Sequence, residues 1–231
     1  MTDERPRRMA FLILCHTDAP LVRRLVEALD WRADFFIHVD AKSDIRPFTS
    51  QHWPPSVHFL TDRVAVRWGG LSVVDATLQL LRACVANDED YLRVVLLSGA
   101  CFPIKPVQQL YDYFVRHEHH EFIVGAELAS APRMIRERVT RYWYFDTFDI
   151  VARSYRPGNI AKIALRRMLH LIARPFRKSM SSLPVGEARL VFGSQWWAVT
   201  TQCARFLSTN TDQFRRLKRF LATSLAPDEI F

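Results

Sequence analysis

The stretch YLRVVLLSGACFPIK, Tyr91–Lys105, decides the fold class of this chain. Its first half, Leu92–Leu97, is a short apolar run rich in valine and leucine, which is typical of a strand buried on both faces of a parallel sheet. The run stops at a Ser-Gly turn, and a proline and Lys105 follow. Ligands of open α/β sheets bind outside the carboxyl ends of the strands. The turn therefore predicts the floor of a binding site, although no carboxylate lies between Ser98 and Lys105.

Apolar runs alternate with amphipathic helices on both sides of this stretch. The predicted strands are Ala10–Cys15, Phe35–Val39, Val57–Leu60, Leu92–Leu97, Glu121–Ala126 and Gly193–Thr201. Helices are expected after Asp18, from Ser72 in a capping box with Asp75, and over Val107–Arg116. This alternation predicts an α/β fold with a doubly wound, mostly parallel sheet flanked by helices. We expect a single domain over residues 1–231.

Residues 133–182 do not follow this alternation of strands and helices. They are predicted to form a variable basic and aromatic insertion. Within them RYWYFDTF, Arg141–Phe148, is expected to pack over the sheet or line an acceptor groove. The segment AKIALRRMLHLIA, Ala161–Ala173, is predicted to be an amphipathic basic helix. Such a helix either lies on an anionic surface or presents an ordinary solvated face, and the second is the commoner case.

The net charge of +8 and the pI near 9.7 favour anionic partners. The candidates are nucleic acid, a phospholipid surface and a phosphorylated small molecule. The basic segment between Arg133 and Arg177 contains no recognisable nucleic-acid-binding module, so we expect no nucleic-acid partner. Four widely spaced cysteines without a CxxC pair indicate reduced thiols. With no cleavable signal and no spanning segment recognised, a cytoplasmic protein is predicted, and peripheral membrane contact stays open.

One acidic motif, Asp88-Glu89-Asp90, has the DxD spacing by which many nucleotide-sugar transferases hold a divalent metal. These residues precede the strand Leu92–Leu97, so they lie at its amino end, whereas ligands bind at the carboxyl end. We interpret the motif as a solvated loop. No metal site is predicted.

Two residues near strand ends are candidates for holding a nucleotide. Asp40 follows a strand and is positioned to accept hydrogen bonds from a base or ribose, or else it caps a turn. Trp68 precedes two glycines and either stacks on a base or belongs to the core. No GxGxxG or P-loop motif occurs, which argues against a dinucleotide dehydrogenase or a P-loop kinase.

The acidic pair Asp228-Glu229 follows Pro227 near the end of the sequence. Acids favour the first turn of a helix, which is one explanation. The functional alternative makes one of the two a general base.

Together these residues resemble the core-2/I-branching β-1,6-N-acetylglucosaminyltransferases, glycosyltransferase family 14, which includes the peptide O-xylosyltransferases. The resemblance extends over nearly the whole chain. Its matching segments are AFLILCH (Ala10–His16), IHVDAKS (Ile37–Ser43), VRWGGLSVVDATLQLL (Val66–Leu81), LLSGACFPIK (Leu96–Lys105), GSQWWAVT (Gly193–Thr200) and APDEIF (Ala226–Phe231).

The resemblance implies a GT-A-like fold, a UDP-sugar donor, and inverting transfer of N-acetylglucosamine or xylose to a glycan or carbohydrate hydroxyl. It implies no metal and no other cofactor. By the same resemblance Asp40 contacts the uracil, Trp68 stacks beside it, and Cys15 lies near the base. Lys105, at the end of its matching segment, is included in the predicted nucleotide site.

The remaining roles also follow from the resemblance. Glu127 and Arg138 fall where the family binds the acceptor sugar, and Glu229 matches the catalytic base. The family's phosphate-binding Arg and Lys are expected past Phe231, and Cys101 stands where relatives commonly carry an acid. We therefore expect a bacterial-type member that is truncated at its C-terminus. The alternative function is a catalytically incomplete module that binds UDP or a glycan.

Overall fold

The structure is a computed structural model and describes residues 6–147, 157–178, 189–209 and 211–230. Its strands are β1 (Met9–Cys15), β2 (Ala33–Val39), β3 (Val57–Phe59), β4 (Arg93–Ser98), β5 (Gly125–Glu127), β6 (Val191–Gly193) and β7 (Ala198–Val199). Its α-helices are α1 (Ala19–Leu29), α2 (Arg46–Thr49), α3 (Ser72–Ala86), α4 (Val107–Arg116), α5 (Arg133–Thr140), α6 (Pro157–Ala173), α7 (Thr201–Ser208) and α8 (Asp212–Leu221). Within the described ranges, 3₁₀ turns cover Leu128–Ser130 and Pro227–Glu229.

Five strands form one mixed sheet in the order β3-β2-β1-β4-β7. Strands β1 to β4 run parallel, and only β7 is antiparallel to its neighbour β4. The chain builds outward from β1 through β2 to β3 and then returns to place β4 on the other side of β1. This reversal creates a topological switch point between β1 and β4, where ligands of such sheets bind. The predicted α/β fold with a mostly parallel sheet is confirmed.

Apolar residues on both faces explain why β1 and β2 occupy the middle of this sheet. Every residue of β2 is buried, and in β1 only Leu14 is partly exposed. Phe11 and Phe35, which are opposite each other in the parallel register, stack with ring centroids 5.5 Å apart. Helix α1 covers this core with its buried apolar face, which includes Val22 and Leu25. Its predicted cap is confirmed, since Asp18 accepts a hydrogen bond from the Leu21 N–H at 3.1 Å.

Arg93 begins β4 and is completely buried, although the apolar run alone predicts no charge inside the core. Its guanidinium donates hydrogen bonds to the backbone carbonyls of His117, Glu118 and His120. The rings of Phe114 and Phe122 lie 5.2 Å from the guanidinium carbon. This one side chain therefore binds three carbonyl groups of the turn that follows α4.

Backbone contacts divide the chain into two compact units. The first unit contains residues 1–65, 76–123 and 196–209, including the whole five-stranded sheet. The second unit contains residues 66–75, 124–195 and 210–231, including a separate two-stranded sheet of β5 and β6. The insertion predicted at residues 133–182 falls in the second unit. Residues 148–156 and 179–182 of that insertion lie outside the described residues.

Two predicted strands are wrong as single strands, because each changes sheet partway along. In the first, Phe122 makes one bridge to Ala198, whereas Gly125–Glu127 pairs with β6. In the second, the predicted strand Gly193–Thr201 separates into the end of β6 and the short β7. Apolar patterning reports how buried a segment is but does not identify its pairing partner, so the sequence could not show the break.

The aromatic segment of the insertion packs against α6. Trp143, Tyr144 and Phe145 surround the imidazole of His170, with ring centroids 5.4 to 5.8 Å from it. The Tyr144 N–H also donates to His170 Nε2 at 2.9 Å. Phe148, the last residue of the predicted segment, lies outside the described residues. Among the helices that are described, none has the length and apolar character needed to cross a bilayer.

Candidate functional site

In the first unit, three residues meet at the carboxyl edge of the sheet, at the switch point. Cys15 ends β1, Asp40 follows β2 and Gly99 follows β4. The Asp40 N–H donates to the Cys15 carbonyl at 2.8 Å. The Gly99 N–H donates to the Leu14 carbonyl, also at 2.8 Å. Two predicted nucleotide-binding residues, Cys15 and Asp40, are thus adjacent to the turn that ends β4.

Glycine is required at position 99 because the backbone passes very close to its neighbours. A Cβ atom there would lie 2.6 Å from Cys15 Cβ and 2.9 Å from Val22 Cγ2. Real side chains avoid such distances, so any larger residue would push β1 and α1 away from this turn. The Ser-Gly turn in the sequence is therefore a close-packing requirement at the sheet edge.

Asp40 is mostly buried and organises the turn that follows β2. Its Oδ1 accepts a hydrogen bond from the Lys42 N–H at 2.9 Å, and its backbone carbonyl accepts one from the Ser43 N–H at 2.8 Å. The Lys42 ammonium lies 3.7 Å from Oδ2. Asp40 therefore caps its own turn, as one of the two sequence interpretations predicts. A carboxylate has about four acceptor sites, so this role is compatible with binding a base.

Burial raises the pKa of the Cys15 thiol to about 12. The thiol contacts the His38 carbonyl at 3.6 Å and is 7% exposed. A thiol with this pKa stays protonated at neutral pH and is a poor nucleophile. Cys15 can therefore form an apolar wall beside a ligand but has no covalent role.

The other charged candidates of the first unit lie elsewhere. Lys105 is exposed and lines a groove of about 460 Å³ beside α4, together with Gln109 and Tyr113. Neither Cys15 nor Asp40 lines this groove. The acids of the DxD motif precede β4 at its amino end, as predicted, where Asp88 and Asp90 lie 3.8 Å from Arg205 and Arg7.

In the second unit, Trp68 projects from a tight turn with 87% of its surface exposed. Gly69 has a positive φ of 81°, which favours glycine, and the Gly70 N–H donates to the Arg67 carbonyl at 3.0 Å. The Gly69 carbonyl accepts a hydrogen bond from the Ala226 N–H at 3.0 Å. The Trp68 turn is thus joined directly to the residue that precedes Pro227–Glu229. A tryptophan this exposed is not a core residue, which leaves its face available for stacking.

Asp146 caps α3, and the predicted capping box of Ser72 with Asp75 is wrong. The Asp146 carboxylate accepts hydrogen bonds from the Leu71 and Ser72 N–H groups and from the Ser72 hydroxyl. The Ser72 hydroxyl in turn accepts from the Arg67 N–H at 2.7 Å. A distant carboxylate has replaced the local cap, and the sequence contains no signal for such a contact.

Arg138 and Glu229, predicted for the acceptor and the base, form an ion pair. Arg138 Nη1 donates to Glu229 Oε2 at 2.6 Å, and both side chains are about 30% exposed, at 28% and 31%. The Arg138 carbonyl also accepts from the Leu225 N–H at 2.9 Å. Helix α5 therefore holds the backbone just before the Glu229 turn and orients the Glu229 carboxylate as well.

Glu127 lies on β5 and is paired with Arg189, a residue that sequence reasoning did not select. Arg138 reaches the same small sheet from the other side, with its guanidinium carbon 5.9 Å from the centre of the Phe192 ring on β6. In the second unit Arg138 contacts Glu229 directly, and the turn that carries Trp68 is joined to this pair through the hydrogen bond between Ala226 and Gly69. Glu127 is linked to them through β6 rather than through a contact with Arg138.

Asp228 is a further candidate beside Glu229. Burial and the neighbouring Glu229 charge raise the pKa of Asp228 to about 6, and Arg138 opposes this shift. A perturbed carboxyl next to a proposed base is typical of a functional site. The signal in the sequence was the adjacent acidic pair itself, but the pattern alone did not show which member is buried.

We expect Asp228→Asn to stabilise the fold at neutral pH and not below pH 4. Between its ordinary pKa of 3.8 and its folded pKa of about 6, Asp228 holds a proton that the unfolded chain has released. Its contribution to stability is therefore complete at low pH and is lost as the pH rises through 6. Asparagine resembles the protonated form of Asp228. The free energy of unfolding of the variant should therefore exceed that of the wild type by an amount that grows with pH to at most about 3 kcal/mol. Urea unfolding of both proteins from pH 3.5 to 8 measures this difference. A constant difference across that range would contradict the assignment.

Comparison with known proteins places the chain in a family. The family model described as Core-2/I-Branching enzyme matches residues 9–231. Xylosyltransferase 1 of Rattus norvegicus is 24% identical over 235 residues, covering 98% of this chain and 25% of the rat protein. Xylosyltransferase 1 of Homo sapiens is 25% identical over 98% of this chain and 22% of the human protein. A xylosyltransferase of Ciona intestinalis is 27% identical over 52% of this chain and 15% of its own length. The chain thus spans a quarter or less of the length of these relatives.

Proposed function

Because the chain belongs to the Core-2/I-Branching enzyme family, we propose that it transfers a sugar from a UDP-sugar to a hydroxyl group of a glycan or other carbohydrate, with inversion. The observation that carries this proposal is the ion pair between Arg138 and Glu229, in a turn bonded directly to the Trp68 turn. Inverting transfer needs a carboxylate that takes the proton from the attacking hydroxyl. Glu229 is a partly exposed carboxylate whose orientation is fixed by Arg138.

We propose the following roles for the remaining residues. In the first unit Asp40 accepts hydrogen bonds from the uracil, and the buried Cys15 thiol forms the apolar wall beside it. In the second unit the exposed Trp68 offers an aromatic face for stacking, and Arg138 and Glu127 bind hydroxyls of the acceptor. Lys105 is also proposed for the nucleotide site, although it lines a separate groove along α4.

For the donor sugar we propose xylose or N-acetylglucosamine. The curated relatives described above are named xylosyltransferases, which supports xylose. The resemblance to the branching N-acetylglucosaminyltransferases supports the second sugar. Both are carried by UDP, so one nucleotide site serves either donor.

We propose that transfer proceeds without a metal, because the DxD acids lie at the amino end of β4, away from the edge where Asp40 and Gly99 meet. Fixed cations would then neutralise the departing diphosphate. UDP release from UDP-xylose and UDP-N-acetylglucosamine, measured with and without EDTA, tests both statements. We expect release in the presence of a carbohydrate acceptor and the same rate in EDTA. Release that EDTA abolishes would contradict the metal-free mechanism, and no release from either donor would contradict sugar transfer by this chain.

The second candidate function is a module that binds UDP or a glycan without turnover. The observation that favours it is the exposed face of Trp68, which can stack on a ligand without any catalytic group taking part. Calorimetric titration with UDP separates the two functions when it accompanies the release assay. Binding with no turnover would establish the module, and turnover would exclude it.

In the same titration we expect Asp40→Asn to weaken UDP binding by about tenfold or more, since a hydrogen bond to a charged group contributes about 1.5–3 kcal/mol. Asn retains the oxygen that accepts from the Lys42 N–H, so the turn should survive. Asp30→Asn, an exposed acid at the end of α1, is the matched control. Equal affinities for the Asp40 variant and the control would remove Asp40 from the nucleotide site.

We also propose a cytoplasmic location with peripheral membrane contact. All four cysteines are free, and Cys15 and Cys84 are buried, which fits a reducing compartment. The basic residues of the second unit favour an anionic surface as the membrane partner.

A further inference from the structure

Helix α6 presents an apolar face to solvent. Its exposed residues on that face are Ile160, Leu165, Met168, Leu171 and Ile172, which we call the α6 apolar face, and they are 41% to 66% exposed. At 100° per residue they span about 140° of the helix surface. A surface helix of a globular domain ordinarily turns its apolar stripe inward, so this arrangement is reversed.

The opposite side of α6 is the one that packs on its own unit. Asn159 and Ala173 are buried there, and His170 contacts Trp143, Tyr144 and Phe145. On the helix these three α6 positions lie about 180° from the middle of the α6 apolar face. Packing against the aromatic segment therefore uses the polar side and leaves the apolar side outward.

Basic residues flank the α6 apolar face on both sides. Arg167 and Arg174 lie along one border, and Lys162 lies beyond the other. The stretch from Pro157 to Lys178 contains no aspartate or glutamate. Phe176, just past the helix, adds a further apolar side chain that is 61% exposed.

We propose that the α6 apolar face inserts into the headgroup region of a membrane containing anionic phospholipid, with the helix lying parallel to the surface. Helices bind in this way when a large apolar face is bordered by lysine and arginine, because apolar burial and attraction to anionic lipid act together. The inference deepens the proposed peripheral location, on which it rests, and is independent of sugar transfer.

Charge decides between a membrane and a second copy of this chain as the occupant. Two copies meeting through their α6 apolar faces would bring two basic borders together, since a two-fold interface uses the same surface twice. Like charges would then oppose the contact. An anionic bilayer complements the same border and solvates the apolar side chains.

Co-sedimentation of the full chain with vesicles tests the proposal. We expect binding to phosphatidylcholine vesicles that contain phosphatidylserine, much weaker binding to phosphatidylcholine alone, and loss of binding in high salt. Leu171→Ser and Ile172→Ser should each lower the partition coefficient about tenfold. Arg167→Gln and Arg174→Gln should each lower it about fivefold. All four side chains are exposed, so the variants should fold.

Matched controls come from the first unit. Phe206→Ser on α7 removes an apolar side chain that is 66% exposed, and Arg116→Gln on α4 removes an exposed charge, so neither should change vesicle binding. Equal losses in the controls, or no binding to anionic vesicles, would overturn the proposal. Sedimentation velocity that shows a dimer dissolved by Leu171→Ser would also overturn it, in favour of a second copy. UDP release without vesicles should be unchanged in the α6 variants. If the wild-type chain binds vesicles but releases no UDP, the proposal of sugar transfer is wrong and the proposal of a membrane surface on α6 is supported.

Discussion

Replacing Glu229 by glutamine is expected to lower kcat for sugar transfer by about a hundredfold to ten-thousandfold, which is the usual contribution of a general base. Glutamine has the same shape, and its amide oxygen can still accept the hydrogen bond from Arg138 Nη1. The turn Pro227–Glu229 should therefore keep its position, whereas the basic carboxylate is gone. Steady-state UDP release with a carbohydrate acceptor measures kcat, and KM for the UDP-sugar should change little.

The control for this prediction is Glu27→Gln on α1, which removes an exposed carboxylate that pairs with Arg23 on the same helix. It should leave kcat and KM unchanged. Calorimetric titration of UDP with the Glu229 variant tests whether the variant is folded and competent to bind. If Glu229→Gln kept the wild-type kcat, Glu229 would not be the base, and Asp228 would be the next residue to replace.

The second large effect is expected from Arg93→Met, which should lower the free energy of unfolding by about 3–5 kcal/mol. Methionine fills much of the volume of the side chain but donates no hydrogen bond. Three backbone carbonyls just past α4 therefore each lose a hydrogen bond, and the His117 carbonyl keeps the one from the His120 N–H. A carbonyl that loses its donor and that water cannot reach costs roughly 1–3 kcal/mol. The contact of the cation with the rings of Phe114 and Phe122 is lost as well.

Urea unfolding of the whole chain measures this loss as a shift of the midpoint at constant slope. Arg116→Met, an exposed arginine on α4, is the matched control and should cost less than about 1 kcal/mol. A loss below 1 kcal/mol for Arg93→Met would mean that water replaces the guanidinium at these carbonyls. The role of Arg93 as the support for the end of α4 would then be wrong.

Sequence reasoning succeeded where a residue acts through its own strand or turn. Asp18 caps α1 because the side chain and the N–H groups it serves are neighbours in the chain. The sequence predicts Asp40 at the carboxyl edge because parallel strands that alternate with helices end on the same side. The position of Cys15 near the base follows only from the family resemblance. The sequence also shows directly that no carboxylate lies between Ser98 and Lys105.

Residues that act across long separations could not be found in this way. Asp146 caps α3 from more than seventy positions away, and its sequence context resembles any aromatic loop. The raised pKa of Asp228 depends on how deeply the folded chain buries its carboxyl group. The pairing of Glu127 with Arg189 likewise depends on how β5 meets β6.

The turn that follows β4 shows the same division. By itself the sequence determined that Leu92–Leu97 is a buried strand, that a small-residue turn ends it, and that no acid follows, because burial, glycine and charge are properties of the residues themselves. Only the tertiary structure decided that Gly99 touches Cys15, that Arg93 is buried beneath the end of α4, and that Glu229 is held by Arg138. Those contacts depend on which strands and helices become neighbours in the fold. The local preferences of a segment, such as its burial or its turn residues, do not determine its neighbours.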